Sequence, residues 1–346
     1  MVYRPAAGLR RSRHRLSRLG AGGDAARLCL VGSGRQFGRC PAVAGHGLAA
    51  ALAVAGAHWR PDPGRRPGRV GRRHGVQRLN HACGIILAAH GSRYPGAMKA
   101  LAVFRDTVAA RYPGADVAIA RTVGRKHGSA AAYGGARQVS DVLAAFLEAG
   151  ITRVAVQSLH VVPGEEYHEL LAGLGRWLQT GGGGTALSVG APLLADLADV
   201  DQVAGAVLDS LPAGRTPDEA VVLMGHGAPP PGAGFYEALR ERLRRRDPLV
   251  ALGAMPRERG TPCLDIGHIR DRLTACGVEK AWLMPFLTVA GAHACSDLAG
   301  ERPDSWRGQL EAAGVACQSQ PAGLIEMEPF AAVWAKHLDR AMARLG

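Results

Sequence analysis

Two histidines stand where apolar, β-branched runs give out. His160 closes Val154-Ala155-Val156-Gln157-Ser158-Leu159 and is followed by Val161-Val162-Pro163-Gly164-Glu165-Glu166. His226 follows Val221-Val222-Leu223-Met224-Gly225 and precedes Gly227. Imidazole is a common ligand for borderline divalent metals and titrates near neutrality, so such residues can hold a metal ion or move a proton. Glu165 and Glu166 are close enough in sequence to orient the His160 ring, hold a water or accept a proton. Equally, carboxylates there favour the positive end of a helix beginning after Gly164. His90, in Ala88-Ala89-His90-Gly91, and His293, in Gly291-Ala292-His293-Ala294, repeat the strand-end setting. Any one of these rings can merely satisfy a loop hydrogen bond. Two at matching strand ends favour a shared site.

The elements that must position these residues are strands and helices in alternation. Buried strands are expected at 84–89, 117–120, 154–160, 187–189, 220–224, 249–254 and 280–287. Helices are expected at 97–112, 136–149, 167–178, 200–211, 235–245, 265–276 and 331–345, where apolar residues recur at helical spacing. His293 is expected in a loop after the last strand. Such alternation predicts an α/β fold of parallel sheets flanked by helices, in which loops at the carboxyl ends of the strands line the ligand crevice. Ile86-Leu87-Ala88-Ala89-His90-Gly91 parallels Val222-Leu223-Met224-Gly225-His226-Gly227, and Val161-Val162-Pro163-Gly164 parallels Thr288-Val289-Ala290-Gly291. The repeat predicts two similar lobes with a cleft between them, one over 83–195 and one over 196–346.

Residues 1–82 read differently. Positions 1–80 hold sixteen arginines, no lysine and only Asp24 and Asp62 as acids, a formal charge of +14 within a chain total of +13. The basic character therefore belongs to a leader rich in Arg, Gly, Ala and Pro, and it argues against a nucleic-acid partner for the rest. Such a composition cannot bury a core, so the leader is expected to be disordered or an over-extended start. Val31-Gly32-Ser33-Gly34-Arg35 lacks the spacing of a phosphate loop. The seven cysteines form no CxxC pair and suggest neither a zinc site nor a disulfide framework. No apolar stretch is long enough to span a bilayer. A cytoplasmic protein is expected. Leu48–Ala57 would serve as a signal-peptide core only if translation began later than Met1, and export to the periplasm is the alternative on that condition. The triplet Arg73-His74-Gly75, which suits a phosphohydrolase, lies inside the leader.

From about residue 84 to the end, the chain resembles the anaerobic sirohydrochlorin cobaltochelatases, class II chelatases related to ferrochelatase. The matching stretches are Val156-Gln157-Ser158-Leu159-His160 with Pro163-Gly164-Glu165-Glu166, and Met224-Gly225-His226-Gly227. Trp282-Leu283-Met284-Pro285 with Val289-Ala290-Gly291 and His293, and Asp304-Ser305-Trp306, also agree. The resemblance implies a lyase-class metal chelatase that inserts Co2+ into the tetrapyrrole sirohydrochlorin for cobalamin, a porphyrin-type biosynthesis needing no ATP or other nucleotide. It implies that His160 and His226 bind the metal and help remove the pyrrole protons, assisted by a glutamate, for which Glu166 is the choice. Glu165, His90 and His293 are left as substrate-facing or supporting residues. The loop Gly190-Ala191-Pro192 offers no carboxylate. His90-Gly91-Ser92 departs from the family's usual strand exit, and Ala292 stands where an acid is more usual, so the metal stays open among Co2+, Fe2+ and Ni2+. A non-catalytic tetrapyrrole or metal carrier is the alternative of another class. No membrane partner is expected, and a homo-oligomer is compatible with the sequence.

Overall fold

The structure, a computed structural model, describes residues 28–29, 83–122, 130–182, 184–255 and 265–345. The rest of the leader, with the segments 31–35, 48–57 and 73–75, lies outside the described residues. Two leader residues form β1 (Leu28–Cys29), which runs parallel to a later strand, β6 (Ala186–Gly190).

From Cys83 onward the expected alternation is present. The first half contains β2 (Cys83–Ala89), α1 (Pro95–Arg111), β3 (Ala115–Arg121), β4 (Arg137–Gln138), α2 (Val139–Glu148), β5 (Arg153–Ser158), α3 (Glu165–Thr180) and then β6. The second half contains α4 (Leu197–Asp209), β7 (Ala220–Gly225), α5 (Gly232–Arg246), β8 (Val250–Ala254), α6 (Ile266–Ala275), β9 (Lys280–Phe286), α7 (Trp306–Glu311), β10 (Ala316–Ser319) and α8 (Glu328–Ala343). All strand pairs are parallel. The sheets run β1-β6-β5-β2-β3-β4 and β10-β9-β7-β8. The core order β6-β5-β2-β3 is thus repeated as β10-β9-β7-β8. His90 and His226 follow equivalent central strands, as the internal repeat requires.

Alternation along each strand decides which core it feeds, because successive side chains leave opposite faces of a sheet. On β2, Ile85, Leu87 and Ala89 join a large cluster, while Ile86 and Ala88 join a second one under α2 and α3. On β7, Val221 and Leu223 face the same large cluster, while Ala220, Val222 and Met224 face α6 and α7. The large cluster therefore unites the two sheets, with α1, α4, α5 and α8 between them.

Three expectations need correction. Strand β5 stops at Ser158, and His160 lies two residues beyond it, although Leu159 is buried. His293 is not in an open loop but begins a single π-helical turn, His293–Leu298. Helix α7 and strand β10 were not expected from the pattern. The last helix also leaves its own lobe: α8 lies against β5 and β6. It is tied there by Arg344 Nη2, which donates to the Val189 carbonyl at 2.8 Å, and by His337 Nδ1, 3.2 Å from the Ala191 carbonyl just past β6. Trp334 and Phe330 on α8 are fully buried in the joint core. Trp334→Ala is expected to lower stability by about 3–5 kcal/mol, the range for emptying a large aromatic site. Urea unfolding of the parent and the variant would measure it.

Candidate functional site

The carboxyl ends of β2, β5, β7 and β9 deliver four loops to one place. Each central-strand histidine is followed by a glycine in the left-handed region, Gly91 at φ 100° and Gly227 at φ 73°. That conformation is open to glycine at little cost and lets the chain turn sharply after the imidazole. Between the loops lies a cavity of about 350 Å³, whose lining includes His90, His160, Glu166, His226 and His293.

His160 is the most enclosed of these, with 7% of its surface exposed. Its Nδ1 lies 2.9 Å from Ser158 Oγ and its Nε2 lies 3.2 Å from Thr122 Oγ1. Thr122 Oγ1 also lies 3.2 Å from the Ala89 carbonyl. The ring is therefore held at both nitrogens, by two different strand ends. Burial pushes the His160 pKa down to about 4, against the attraction of Glu166 and with the help of His90. A neutral imidazole at ordinary pH follows, the form that can give a lone pair to a metal.

Glu166, on the first turn of α3, addresses two imidazoles with one carboxylate. Its Oε1 is 2.8 Å from His90 Nδ1, and its Oε2 is 3.7 Å from His160 Nε2. Burial pushes the Glu166 carboxyl up, but the hydrogen bond from His90 and the charges of His90, His160 and His226 outweigh it. The net pKa is about 2. The same hydrogen bond raises the His90 pKa, against the effect of burial. Glu165 is exposed, although it too lines the cavity.

On the opposite lobe, the His226 and His293 ring centroids are 5.3 Å apart and tilted by 59°. His293 Nδ1 lies 2.6 Å from Asp297 Oδ2 within the π-helical turn, which fixes the ring and leaves Nε2 as its second nitrogen. Arg302 in turn approaches Asp297 at 3.5 Å. Both histidines also border a second cavity of about 590 Å³, lined by Asp265, Asp304 and Trp306 among others.

All six residues expected at the site line the first cavity, but they are not equally joined. His90, Glu166 and His160 form one connected set, and His226 pairs with His293 in another. Among the described residues no group of three or more His, Cys, Asp or Glu is arranged as a ready metal cage. His168 is exposed and does not line the cavity. Arg257 and Arg259, which the sequence offers to an acidic ligand without compelling that use, lie outside the described residues. The sequence reading missed Thr122, Ser158, Arg93 and Tyr133. Thr122 escaped the strand-end rule because the strand expected at 117–120 runs on to Arg121.

Two parallel sheets joined through one core, with imidazoles and a carboxylate at the strand ends, define a two-lobed chelatase-type α/β protein. Solved structures agree on the fold. The sirohydrochlorin chelatase SirB from Bacillus subtilis subspecies spizizenii, in complex with cobalt, superposes with a TM-score of 0.52 at 16% identity. That match covers 76% of this chain and 96% of that one. SirB from Bacillus subtilis with Fe3+ gives the same TM-score at 17% identity, over 76% and 95% of the two chains. The chain belongs to the cobalt chelatase (CbiK) family, whose model matches residues 83–343. A relative in Nitratidesulfovibrio vulgaris (strain Hildenborough), the sirohydrochlorin cobaltochelatase CbiKC, is 43% identical over 263 residues, 76% of this chain and 91% of its own. The sirohydrochlorin cobaltochelatase of Salmonella typhimurium is 34% identical over 195 residues, 56% of this chain and 70% of its own.

Proposed function

We propose that the protein is a sirohydrochlorin cobaltochelatase, inserting Co2+ into the open macrocycle as a step of cobalamin biosynthesis, without ATP. The family and the names of two relatives at 43% and 34% identity support the activity. The observation that carries the mechanism is Glu166, shared between His90 and His160 at the wall of a cavity that His226 also lines. In this reading the macrocycle sits between the lobes, 83–195 and 196–346, with the last helix crossing back to the first.

Insertion asks for two opposed things: a weak hold on the metal, and a sink for the two pyrrole protons. A hold built from two imidazoles, of which His160 is kept neutral by burial, meets the first, because the cation must leave for four ring nitrogens. His160 and His226 are the metal-binding pair in this reading. Glu166 serves the second. A carboxylate already sharing a proton with His90 passes an incoming charge along a hydrogen bond instead of storing it on one buried atom. His90 is the outward end of that path, since 54% of its side chain is exposed. Glu165 and His293 then act at the substrate's edge. The reaction needs no nucleic acid, nucleotide or membrane and suits the cytoplasm. Among the described residues no helix is long and apolar enough to cross a membrane.

The test is anaerobic mixing of the full chain with sirohydrochlorin and Co2+, Fe2+ or Ni2+ in turn, followed by the visible spectrum. Multiple-turnover conversion, fastest with Co2+, is expected. A single stoichiometric shift without turnover would make the protein a carrier. No spectral change with any metal would overturn the tetrapyrrole reading.

A further inference from the structure

The cleft's only lining lysine or arginine among the described residues is Arg93, on the loop three residues past His90. Its guanidinium carbon lies over the Tyr133 ring at 5.5 Å from the centroid. The guanidinium carbon of Arg121, at the end of β3, lies over the same ring at 4.8 Å. Arg121 is buried, with 3% of its surface exposed, and Tyr133 is buried at 6%. Tyr133 belongs to a small apolar cluster with Ala136 and Met98, apart from the three main cores. The loop holding Arg93 is pressed onto it: a Cβ at Gly91 would meet the Tyr133 ring and the Arg121 Cβ at 3.1 Å each.

The cavity wall carries charges of both signs. Its acidic groups, Glu165 and Glu166, come from the first turn of α3, whereas its arginine comes from the β2–α1 loop with a buried second arginine behind it. An arginine stacked on an aromatic face keeps its planar fork oriented, and that fork matches a carboxylate with two parallel hydrogen bonds. We propose that Arg93, stacked on Tyr133 and backed by Arg121, is a substrate-carboxylate subsite that orients the macrocycle in the cleft. The proposal rests on the chelatase reading, whose substrate is ringed by carboxylates around an uncharged centre. An acidic side chain of that ring is drawn to Arg93, which anchors the edge of the macrocycle before the metal arrives.

The experiment binds free-base sirohydrochlorin to the full chain without metal, by fluorescence titration. A macrocycle bearing fewer carboxylates is run beside it. Arg93 is exposed, so Arg93→Ala leaves the fold intact, and a thermal melt checks that. Arg93→Ala is expected to weaken sirohydrochlorin binding about tenfold, as loss of a charge-assisted carboxylate contact does, and to weaken the less acidic macrocycle far less. Arg93→Lys, which keeps the charge and loses the fork, is expected to fall between. In turnover, KM for sirohydrochlorin rises while kcat and the KM for Co2+ hold. Unchanged binding by Arg93→Ala, or an equal loss for both macrocycles, overturns the subsite while leaving the chelatase reading in place. A parent protein that binds no sirohydrochlorin overturns both.

Discussion

The double variant His160→Ala, His226→Ala is expected to lose cobalt insertion by at least about a thousandfold in kcat/KM. Removing a positioned acid–base group typically costs 10²- to 10⁴-fold, and here the metal-binding pair goes with it. The single variants should separate the roles. His160 is held at both nitrogens, by Ser158 and Thr122, and lies 3.7 Å from Glu166, so its loss strikes both metal capture and the proton path. His226 belongs to the opposite lobe, where its ring packs against that of His293 with centroids 5.3 Å apart, so its loss should weigh on the KM for Co2+ more than on kcat. Glu166→Gln keeps both imidazoles but breaks the charge link to His90, and should lower kcat with little change in the KM for Co2+. Steady-state rates over a range of Co2+ concentrations measure all four proteins. Full activity in His160→Ala would remove this site assignment, although the family membership would stand.

The sequence was most legible where burial is two-sided. Runs such as Gly84-Ile85-Ile86-Leu87-Ala88-Ala89 and Val221-Val222-Leu223-Met224 are strands sealed by helices on both faces, and their position and parallel pairing were readable directly. Legibility failed where burial stops tracking secondary structure. Leu159 is buried as deeply as a strand residue but lies outside the ladder, which moved the apparent end of β5 by two residues. Strand β10 is a mostly exposed edge of Ala, Cys, Gln and Ser, with nothing to mark it as a strand. Helix α7 is only six residues long, and its start is visible solely through Ser305, whose side chain accepts from the Gly308 amide. The return of α8 to the first sheet depends on long-range partners such as Ala191 and Val189, which no local pattern encodes.

The site divides in the same way. Strand-end histidines followed by glycine announce themselves, because the turn needs the glycine and the crevice position needs the strand. Glu165 and Glu166 could not be told apart by spacing, since both fit a helix start. Only the direction of the side chain from the first turn of α3 puts Glu166, and not Glu165, between two imidazoles. Thr122 carries no signal of its own in composition. Its role comes from the pairing of β3 with β2, which brings its hydroxyl within reach of a histidine just past a third strand.

The buried ring of His160 should also be visible in stability. Its pKa of about 4 in the folded chain lies below the ordinary 6.5, so the unfolded state takes up the proton first as pH falls. This contribution is fully present above about pH 6.5 and is lost as the pH drops toward 4. Between pH 7 and pH 5 it removes about 2 kcal/mol, taking 1.36 kcal/mol per pKa unit. Glu166 has the same sign, but its loss falls lower, below its ordinary 4.5 and down to about 2. His90 has the opposite sign: its raised pKa gives stability that is complete below 6.5 and fades as pH rises through the folded value. His90 still contributes within the interval from pH 7 to pH 5, but it is common to parent and variant, so a comparison of the two proteins singles out His160. His160→Gln is expected to flatten the stability curve over that interval, leaving the variant closer to the parent at pH 5 than at pH 7. Urea midpoints for both proteins at pH 7, 6 and 5 supply the comparison. Parallel curves would mean that the ring is not held neutral by burial. The expected convergence would tie the two properties together, since the enclosure that costs stability in acid is what keeps the imidazole uncharged at neutral pH, the form a metal requires.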